Sequence, residues 1–263
     1  MEIVDFVKFK KEEIKKEVSL FDEVSFLIIQ VGDNEASNAY VKGKIKDALE
    51  VGIKPVLKKL DENIKEEDIL SIIDEANKDE SICGIIVQLP LPSHIDEKKI
   101  ALSISYKKDI DGFHPLSLFT PCTPKGIIMY LDSLNYDYES KNALIIGRSN
   151  IVGKPIASLL LNKNCNVTIT HSHTRRDDLF SYVKNADLII VAVGKTYFLD
   201  DTFLFKDDAY IIDVGINREN GKLKGDALPN LKVKYQSPVP KGVGLLTRVA
   251  LLENILEGKR NGI

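Results

Sequence analysis

The stretch "NALIIGRSNIVGKP", residues 142–155, joins an apolar run to a loop that contains two glycines and ends in a proline. Gly147 lets the run end in a sharp turn, and Gly153 removes a side chain where a following helix must approach the sheet. Pro155 suits the first turn of that helix, because the N–H group it lacks would have no partner there. The stretch therefore predicts a strand, a loop and a helix whose exposed N–H groups favour an anion such as phosphate.

The same alternation of apolar runs and amphipathic stretches extends outward from this stretch in both directions. Strands are predicted at 25–32, 53–60, 82–92, 143–147, 166–172, 186–194 and 209–215. Helices are predicted at 36–52, 66–79 and 245–258. Continuous apolar runs separated by helices are typical of a parallel sheet covered on both faces. The fold class is therefore predicted to be α/β.

Two halves with this pattern meet near residues 116–126, where prolines interrupt it. The last predicted helix, 245–258, is densely apolar and needs a partner, so we expect it to return to the first half. Ligands of open α/β sheets bind beyond the carboxyl ends of the strands. The loops rich in glycine or proline all follow predicted strands and are expected to line one cleft: 31–34, 88–93, 147–153, 194–195 and 213–217.

Bulk composition limits the classes of function. The chain has 263 residues, 44% hydrophobic and 29% charged, which is typical of a globular protein with one large or two modest domains. Its net charge of −3 gives no support to nucleic-acid binding. No apolar run is long enough to span a bilayer, and the start lacks a secretory signal. Three cysteines without C-x-x-C spacing argue against a disulfide framework, so a cytoplasmic protein without membrane contact is expected.

The loop after the opening run carries Arg148 and Ser149 instead of the usual G-x-G-x-x-G pattern. A guanidinium offers a planar fork of donors that suits a phosphate. NAD sites usually place an acidic residue near the end of the second strand, where this chain has Ser172, Arg175 and Arg176. These residues favour NADP, which carries a phosphate on its ribose. A plain strand–helix turn with a solvated arginine is the alternative interpretation.

Eight segments closely resemble, in this order, the bifunctional methylenetetrahydrofolate dehydrogenase/methenyltetrahydrofolate cyclohydrolase family. They are "VGDNEASNAYVKGKIKDALEVGI", "GIIVQLPLP", "KKDIDGFHP", "PCTPKGI", "IIGRSNIVGKPIASLLL", "ADLIIVAVGK", "IIDVGIN" and "SPVPKGVGLLTRVALLENIL". Each segment alone is weak, but eight in order are specific. The resemblance extends from about residue 25 to the C-terminus.

The resemblance implies two domains that flank a cleft, and a homodimer. Residues 1–121, joined by the last helix at 246–263, would form the folate-binding catalytic domain. Residues 122–245 would form a Rossmann-like NADP-binding domain with a parallel sheet. The implied dehydrogenase step moves a hydride from 5,10-methylenetetrahydrofolate to NADP. The implied cyclohydrolase step then hydrolyses the methenyl cation to 10-formyltetrahydrofolate.

Tyr40 and Lys44 are four residues apart and share one face of a predicted helix. Alone they suggest an exposed pair on a basic helix that also carries Lys42 and Lys46. The family motif Y-x-x-x-K matches them, which implies that Tyr40 stacks on the aminobenzoyl ring and that Lys44 is the catalytic lysine. Hydrolysis needs one proton removed and another delivered. A lysine can do both if desolvation or a nearby cation lowers its pKa.

Three further segments gain substrate roles from the resemblance. Gln88 would hold and tune the lysine amine, with Val87 and Leu89 flanking the folate; the alternative is a loop amide that bonds to its own backbone. Asp111 would accept two hydrogen bonds from the pterin edge, although "KKDIDG" also suits an ordinary charged turn. The matching loop residues expected to border the folate are Pro240, Lys241, Gly242, Val243 and Gly244.

The chain departs from the family in this last loop. Lys241 replaces a glycine, and it imposes strain if the position needs a positive φ. Leu245 and Leu246 replace the family's usual Pro-Met. With these changes, a monofunctional dehydrogenase that uses NADP or NAD is an alternative. A non-catalytic folate- or nucleotide-binding regulator is a further alternative.

The implied cofactor residues are Gly147, Arg148, Ser149, Ser172 and Ile216, of which Ile216 would contact the nicotinamide end through its backbone. His171 and His173 could suggest a metal, but no third ligand stands at a recognisable spacing, so no metal site is predicted. Cys122 is expected to be packed and not to act as a nucleophile.

Overall fold

The computed structural model describes residues 1–263, which form two compact units. One unit contains residues 8–122 and 248–263, and the other contains residues 1–7 and 123–247. The helices are α1 (Ile3–Val18), α2 (Glu35–Glu50), α3 (Glu66–Lys78), α4 (Glu97–Ser103), α5 (Cys122–Ser133), α6 (Gly153–Asn162), α7 (Arg176–Asn185) and α8 (Val243–Arg260). None of them is both long and apolar enough to cross a membrane.

The strands are mostly short. They are β1 (Ser25–Val31), β2 (Lys54–Leu60), β3 (Ile85–Val87), β4 (Asn142–Ile146), β5 (Asn166–Thr170), β6 (Leu188–Val191), β7 (Tyr210–Asp213), β8 (Asn217–Glu219), β9 (Lys222–Lys224) and β10 (Tyr235–Gln236). Apart from the antiparallel pair β8–β9, all the paired strands are parallel. The predicted α/β class with parallel sheets is confirmed.

The unit that contains residues 8–122 has a three-stranded sheet in the order β2-β1-β3. The central strand β1 is buried along its whole length, because strands cover both its edges and side chains cover both its faces. The last helix α8 also belongs to this unit from Arg248 onward. Its Gly258 packs so closely that an added Cβ would lie 3.0 Å from the carbonyl oxygen of Cys83. The predicted return of the last helix to the first half is thus confirmed.

The other unit has a five-stranded sheet in the order β10-β7-β6-β4-β5. The chain goes from β4 to β5 on one side and then crosses to β6 on the other side of β4. The strand order therefore reverses between β4 and β6, and a crevice at such a reversal is where doubly wound sheets bind ligands. The loops after β4 and β6 begin at Gly147 and Ala192, so the opening stretch lies at this position.

Several elements differ from their predicted bounds. The segment 82–92 was predicted as a strand that runs into a proline-rich loop, and its strand covers only Ile85–Val87. The prolines that follow cannot donate to a sheet. The helix α1 was not predicted, although its buried residues recur at helical spacing: Ile3, Phe6, Val7, Ile14 and Val18. The last helix begins earlier than predicted, at Val243.

Candidate active site

Helix α2 carries Tyr40 and Lys44. The helix begins after Asn34, whose side chain accepts a hydrogen bond from the backbone N–H of Ser37 and caps the first turn. Lys44 is only 8% exposed, and its Nζ lies 3.8 Å from Oδ2 of Asp111. The interpretation of an exposed surface pair is therefore wrong. A buried ammonium is costly unless a partner compensates for its lost water, and Asp111 is that partner.

A tight turn positions Asp111. Gly112 has a φ of +76°, and a Cβ there would lie 2.6 Å from the nitrogen of Pro121, so the turn requires glycine. The neighbouring carboxylate of Asp109 is buried and accepts a 2.7 Å hydrogen bond from the backbone N–H of His114. Burial raises the pKa of Asp109, while the hydrogen bond from His114 opposes this effect. Two carboxylates thus flank Ile110 in a rigid loop.

A small cavity of about 30 Å³ is lined by several of the residues that were predicted to contact the substrate. Its lining includes Val87, Leu89 and Asp111, together with Asp109 and Phe113. Its lining is mostly apolar and includes two carboxylates, and its volume has room for only about one or two water molecules. Three of the predicted substrate residues therefore share one pocket.

Gln88 follows Val87 of this pocket and makes no hydrogen bond to Lys44. Its Nε2 donates a 2.8 Å hydrogen bond to the carbonyl oxygen of Leu89, as the alternative interpretation expected. Its Oε1 is buried and has no hydrogen-bond partner. An unpartnered buried acceptor costs about 1–3 kcal/mol, so this oxygen is suited to receive a donor from a ligand or from the lysine.

Arg248 was not predicted as a site residue. Its Nε lies 3.0 Å from Oδ2 of Asp47, and Lys11 donates to the other oxygen of that carboxylate at 2.7 Å. The Arg248 guanidinium lies directly against Gly43, where any Cβ would overlap with it. Burial raises the pKa of the Tyr40 phenol, and the charge of Arg248 opposes this effect. A fixed cation thus lies beside Tyr40. No motif near Tyr40 could have predicted it, because Arg248 comes from α8, far away in the sequence.

The loop after β4 has the geometry of a phosphate-binding turn. Gly147 has a φ of +124°, and a Cβ there would overlap with the carbonyl oxygen of Ala192. A Cβ at Gly153 would overlap with the carbonyl oxygen of Gly147, so both glycines allow close backbone approach. Ser149 Oγ accepts hydrogen bonds from the backbone N–H groups of Val152 and Gly153. Its hydroxyl hydrogen remains for a ligand.

Arg148 and Ser172 are both exposed at the carboxyl ends of adjacent strands, β4 and β5. The Arg148 guanidinium makes no hydrogen bond or ion pair within the chain. Ile216 follows β7 and is 47% exposed, which is unusual for a large apolar side chain next to a buried strand. The residues present therefore fit a nucleotide that carries a phosphate on its adenosine ribose and a flat ring at its other end.

The loop before α8 is strained at one residue. Lys241 has a φ of +70°, so the position matched to a family glycine does need a positive φ. Gly242 cannot carry a Cβ, which would overlap with the carbonyl oxygen of Pro238. Val243 and Gly244 form the first turn of α8 and not part of a loop. A Cβ at Gly244 would lie 3.7 Å from the side chain of Ile216, so these two predicted site residues are neighbours.

Side chains that could ligate a metal do not gather anywhere in the chain in groups of three or more. The rings of His171 and His173 are 5.9 Å apart, and a turn between His171 and Thr174 holds them. The thiol of Cys122 is buried and donates to the carbonyl oxygen of Ile110 at 3.3 Å.

Comparison with known proteins accounts for both units. The catalytic-domain model of tetrahydrofolate dehydrogenase/cyclohydrolase matches residues 5–111, and the NAD(P)-binding-domain model matches residues 121–262. "Bifunctional protein FolD" of Oceanobacillus iheyensis is 46% identical, over 95% of this chain and 93% of the relative.

Solved structures agree. The bifunctional enzyme FolD of Campylobacter jejuni superposes with a TM-score of 0.95 at 41% identity, covering 98% of this chain and 97% of that one. FolD of Trypanosoma brucei, complexed with NADP and an inhibitor, gives a TM-score of 0.93 at 28% identity, covering 99% and 97%. The protein described here belongs to the tetrahydrofolate dehydrogenase/cyclohydrolase family.

Proposed function

We propose that the protein oxidises 5,10-methylenetetrahydrofolate with NADP and then hydrolyses the methenyl product to 10-formyltetrahydrofolate, with Lys44 as the general acid and base. The observation that carries this proposal is the buried amine of Lys44, 3.8 Å from Asp111, in the unit that also holds the pocket of Val87 and Leu89. A buried lysine with one carboxylate partner can exchange protons with a bound substrate while bulk water is excluded.

The roles of the substrate residues follow from this arrangement. Asp111 accepts from the amino-pyrimidine edge of the pterin, and Tyr40 stacks on the aminobenzoyl ring. Val87, Gln88 and Leu89 flank the folate, with the free oxygen of Gln88 available to the lysine amine. The loop residues Pro240, Lys241, Gly242, Val243 and Gly244 border it. The proposed catalytic domain is 1–121 with 246–263, and the proposed NADP domain is 122–245.

Lys44 serves both proton transfers of the hydrolytic step. It removes a proton from the water that attacks the methenyl carbon, and it delivers a proton to the ring nitrogen that leaves when the ring opens. Hydride transfer needs mainly close and correct placement of two carbons.

For the cofactor, we propose that Gly147, Arg148, Ser149, Ser172 and Ile216 hold NADP. Bound NADP supplies the acceptor for the hydride that leaves the methylene carbon. The free guanidinium of Arg148 and the exposed hydroxyl of Ser172 suit the ribose phosphate. The NADP complex of the Trypanosoma brucei relative supports this choice. We also propose a homodimer located in the cytoplasm, which sedimentation and cell fractionation would test.

The variant Lys44→Met tests the catalytic role. We expect it to lose formation of 10-formyltetrahydrofolate from methenyltetrahydrofolate, because no other buried amine lies beside Asp111. Lys42→Met is the matched control, since Lys42 is exposed on the same helix. Retained hydrolysis by the Lys44 variant would refute the role. In the wild-type protein, accumulation of the methenyl product would favour a dehydrogenase without the second activity. Ligand binding without turnover would favour a regulator.

The variant Arg148→Ala tests cofactor choice. Loss of charge-assisted bonds to a phosphate should weaken NADP binding by about 1.5–3 kcal/mol. NAD lacks that phosphate, so the dissociation constant for NAD should hardly change. Titration calorimetry with each nucleotide gives the two dissociation constants. An equal loss for NADP and NAD would show that Arg148 has another role.

A further inference from the structure

The carboxylate of Asp226 is fully buried in the unit that contains residues 123–247, and the proposed function does not use it. Its Oδ2 accepts hydrogen bonds from the backbone N–H groups of Val193 at 2.6 Å and Gly194 at 2.9 Å. Its Oδ1 accepts from the backbone N–H of Lys195 at 2.8 Å and from Nδ2 of Asn217 at 2.9 Å. One side chain thus ties down three consecutive N–H groups and a side-chain amide.

The groups that Asp226 holds are at the predicted cofactor crevice. Residues 193–195 follow β6, and the carbonyl oxygen of Ala192 lies against Gly147 in the phosphate loop. Asn217 follows Ile216, the residue proposed to contact the nicotinamide end. Asp226 therefore couples the loop after β6 to the loop after β7, beyond the carboxyl ends of both strands.

A further carboxylate, Asp213, fixes Asp226 in turn. Asp213 Oδ1 accepts from the backbone N–H groups of Gly215 at 2.8 Å and of Asp226 at 3.0 Å. Its Oδ2 accepts from the backbone N–H of Ala227 at 2.9 Å. A Cβ at Gly215 would overlap with the Asp226 carboxyl group, and a Cβ at Gly225 would overlap with that of Asp213. The two glycines make room for the carboxylates.

Burying two carboxylates in order to hold two loops is energetically unfavourable unless their lost hydration is replaced. No lysine or arginine forms an ion pair with either carboxylate, so hydrogen bonds must replace the hydration that each anion loses on burial. Charge-assisted hydrogen bonds are about twice as strong as neutral ones, and those accepted by a carboxylate fix the positions of their donors. The arrangement gains precision of loop position at the expense of stability.

We propose that Asp226 is a positioning residue for the dehydrogenase step, holding residues 193–195 and Asn217 in the conformation that receives the nicotinamide end of NADP. The inference rests on the function proposed above and extends it to a residue that does not touch the reacting atoms. The hydrolytic step relies on Lys44, Asp111 and Gln88, and none of these is hydrogen-bonded to Asp226 or Asn217.

The variant Asp226→Asn keeps the shape of the side chain but replaces one acceptor by an amide that faces N–H donors. We expect the KM for NADP to rise at least about tenfold and the dehydrogenase kcat to fall, because hydrogen bonds to a charged acceptor are lost. Hydrolysis of added methenyltetrahydrofolate should stay within about twofold of wild type. Asp200→Asn is the matched control, because Asp200 lies in the same unit and its carboxylate accepts hydrogen bonds from Thr202 alone.

A second, less disruptive variant tests the same inference if Asp226→Asn fails to fold. Asn217→Ala removes only one of the four hydrogen bonds to Asp226, and Asn217 is not fully buried. It should show the same split between the two activities with a smaller rise in the KM for NADP. Equal losses of both activities, or an unchanged KM for NADP in both variants, would overturn the inference. Absence of NADP reduction by the wild-type protein would instead overturn the proposed function.

Discussion

Lys241 has a backbone conformation that lysine rarely adopts. Its φ of +70° lies in the left-handed region, where a Cβ costs roughly 1–2 kcal/mol. Glycine removes that cost but adds freedom to the unfolded chain, so the net gain is smaller. We expect Lys241→Gly to raise the free energy of unfolding by about 1 kcal/mol, measured by urea denaturation. Lys241→Ala keeps the Cβ and should give no gain; equal stabilisation by both variants would contradict this explanation.

Asp213 should make the stability of the protein depend on pH. Burial raises its pKa from 3.8 to about 6, against the opposing effect of its backbone hydrogen bonds. A carboxyl with a higher pKa in the folded state binds its proton more tightly there. Its contribution to stability is therefore complete below the unfolded pKa and is lost as the pH rises through about 6.

The variant Asp213→Asn cannot titrate, so it removes this dependence. Its stability relative to wild type should rise by up to about 3 kcal/mol between about pH 4 and pH 7. Urea denaturation of both proteins across this range gives the difference. The hydrogen bond from Thr202 lowers the pKa of Asp200, so the effect of Asp200→Asn should be nearly constant from about pH 4 to pH 7, with a trend of opposite sign only below about pH 4. A difference between Asp213→Asn and wild type that stays constant with pH would contradict the expectation.

At the scale of elements, one side chain attaches α8 to the loop that carries Asp111. Asn254 is fully buried, and its Nδ2 donates to the carbonyl oxygens of Ile110 at 2.8 Å and Thr120 at 3.0 Å. We expect Asn254→Ala to lower the free energy of unfolding by about 2–4 kcal/mol, because buried carbonyls lose a donor and a small cavity forms. The KM for the folate should also rise as the loop loosens.

Asn261→Ala is the control for this prediction. Asn261 is exposed just beyond the end of α8, so its loss should change stability by less than about 0.5 kcal/mol. Urea denaturation and steady-state kinetics of both variants provide the comparison. A stable Asn254→Ala protein with an unchanged folate KM would show that α8 is not held through this amide.

The sequence predicted elements well where a local signal exists. Apolar runs located β1, β4 and β6, because a strand buried on both faces is mostly apolar. The short pair β8–β9 and the two-residue β10 carry no such signal and were not predicted. Their hydrogen bonds depend on which segment lies beside them, and periodicity does not report that.

At the scale of the whole molecule, nucleotide binding should couple to stability. A ligand that binds only the folded protein stabilises it by about 2.7 kcal/mol at 100 times its dissociation constant. We therefore expect NADP to raise the Tm in a concentration-dependent way, and NAD at equal concentration to do so much less. Thermal denaturation with each nucleotide tests this. The Arg148→Ala variant should lose most of the difference between them, and equal shifts with both nucleotides would argue against NADP selectivity.

The sequence alone determined the α/β class, the return of the last helix and the family. These follow from apolar runs and from ordered motifs, which are local properties of the chain. Only the tertiary structure decided that Lys44 is buried against Asp111, that Arg248 lies on Gly43, and that one carboxylate joins two loops. Each of these contacts joins residues far apart in the chain. Their energies depend on burial and distance, which exist only once the chain has folded.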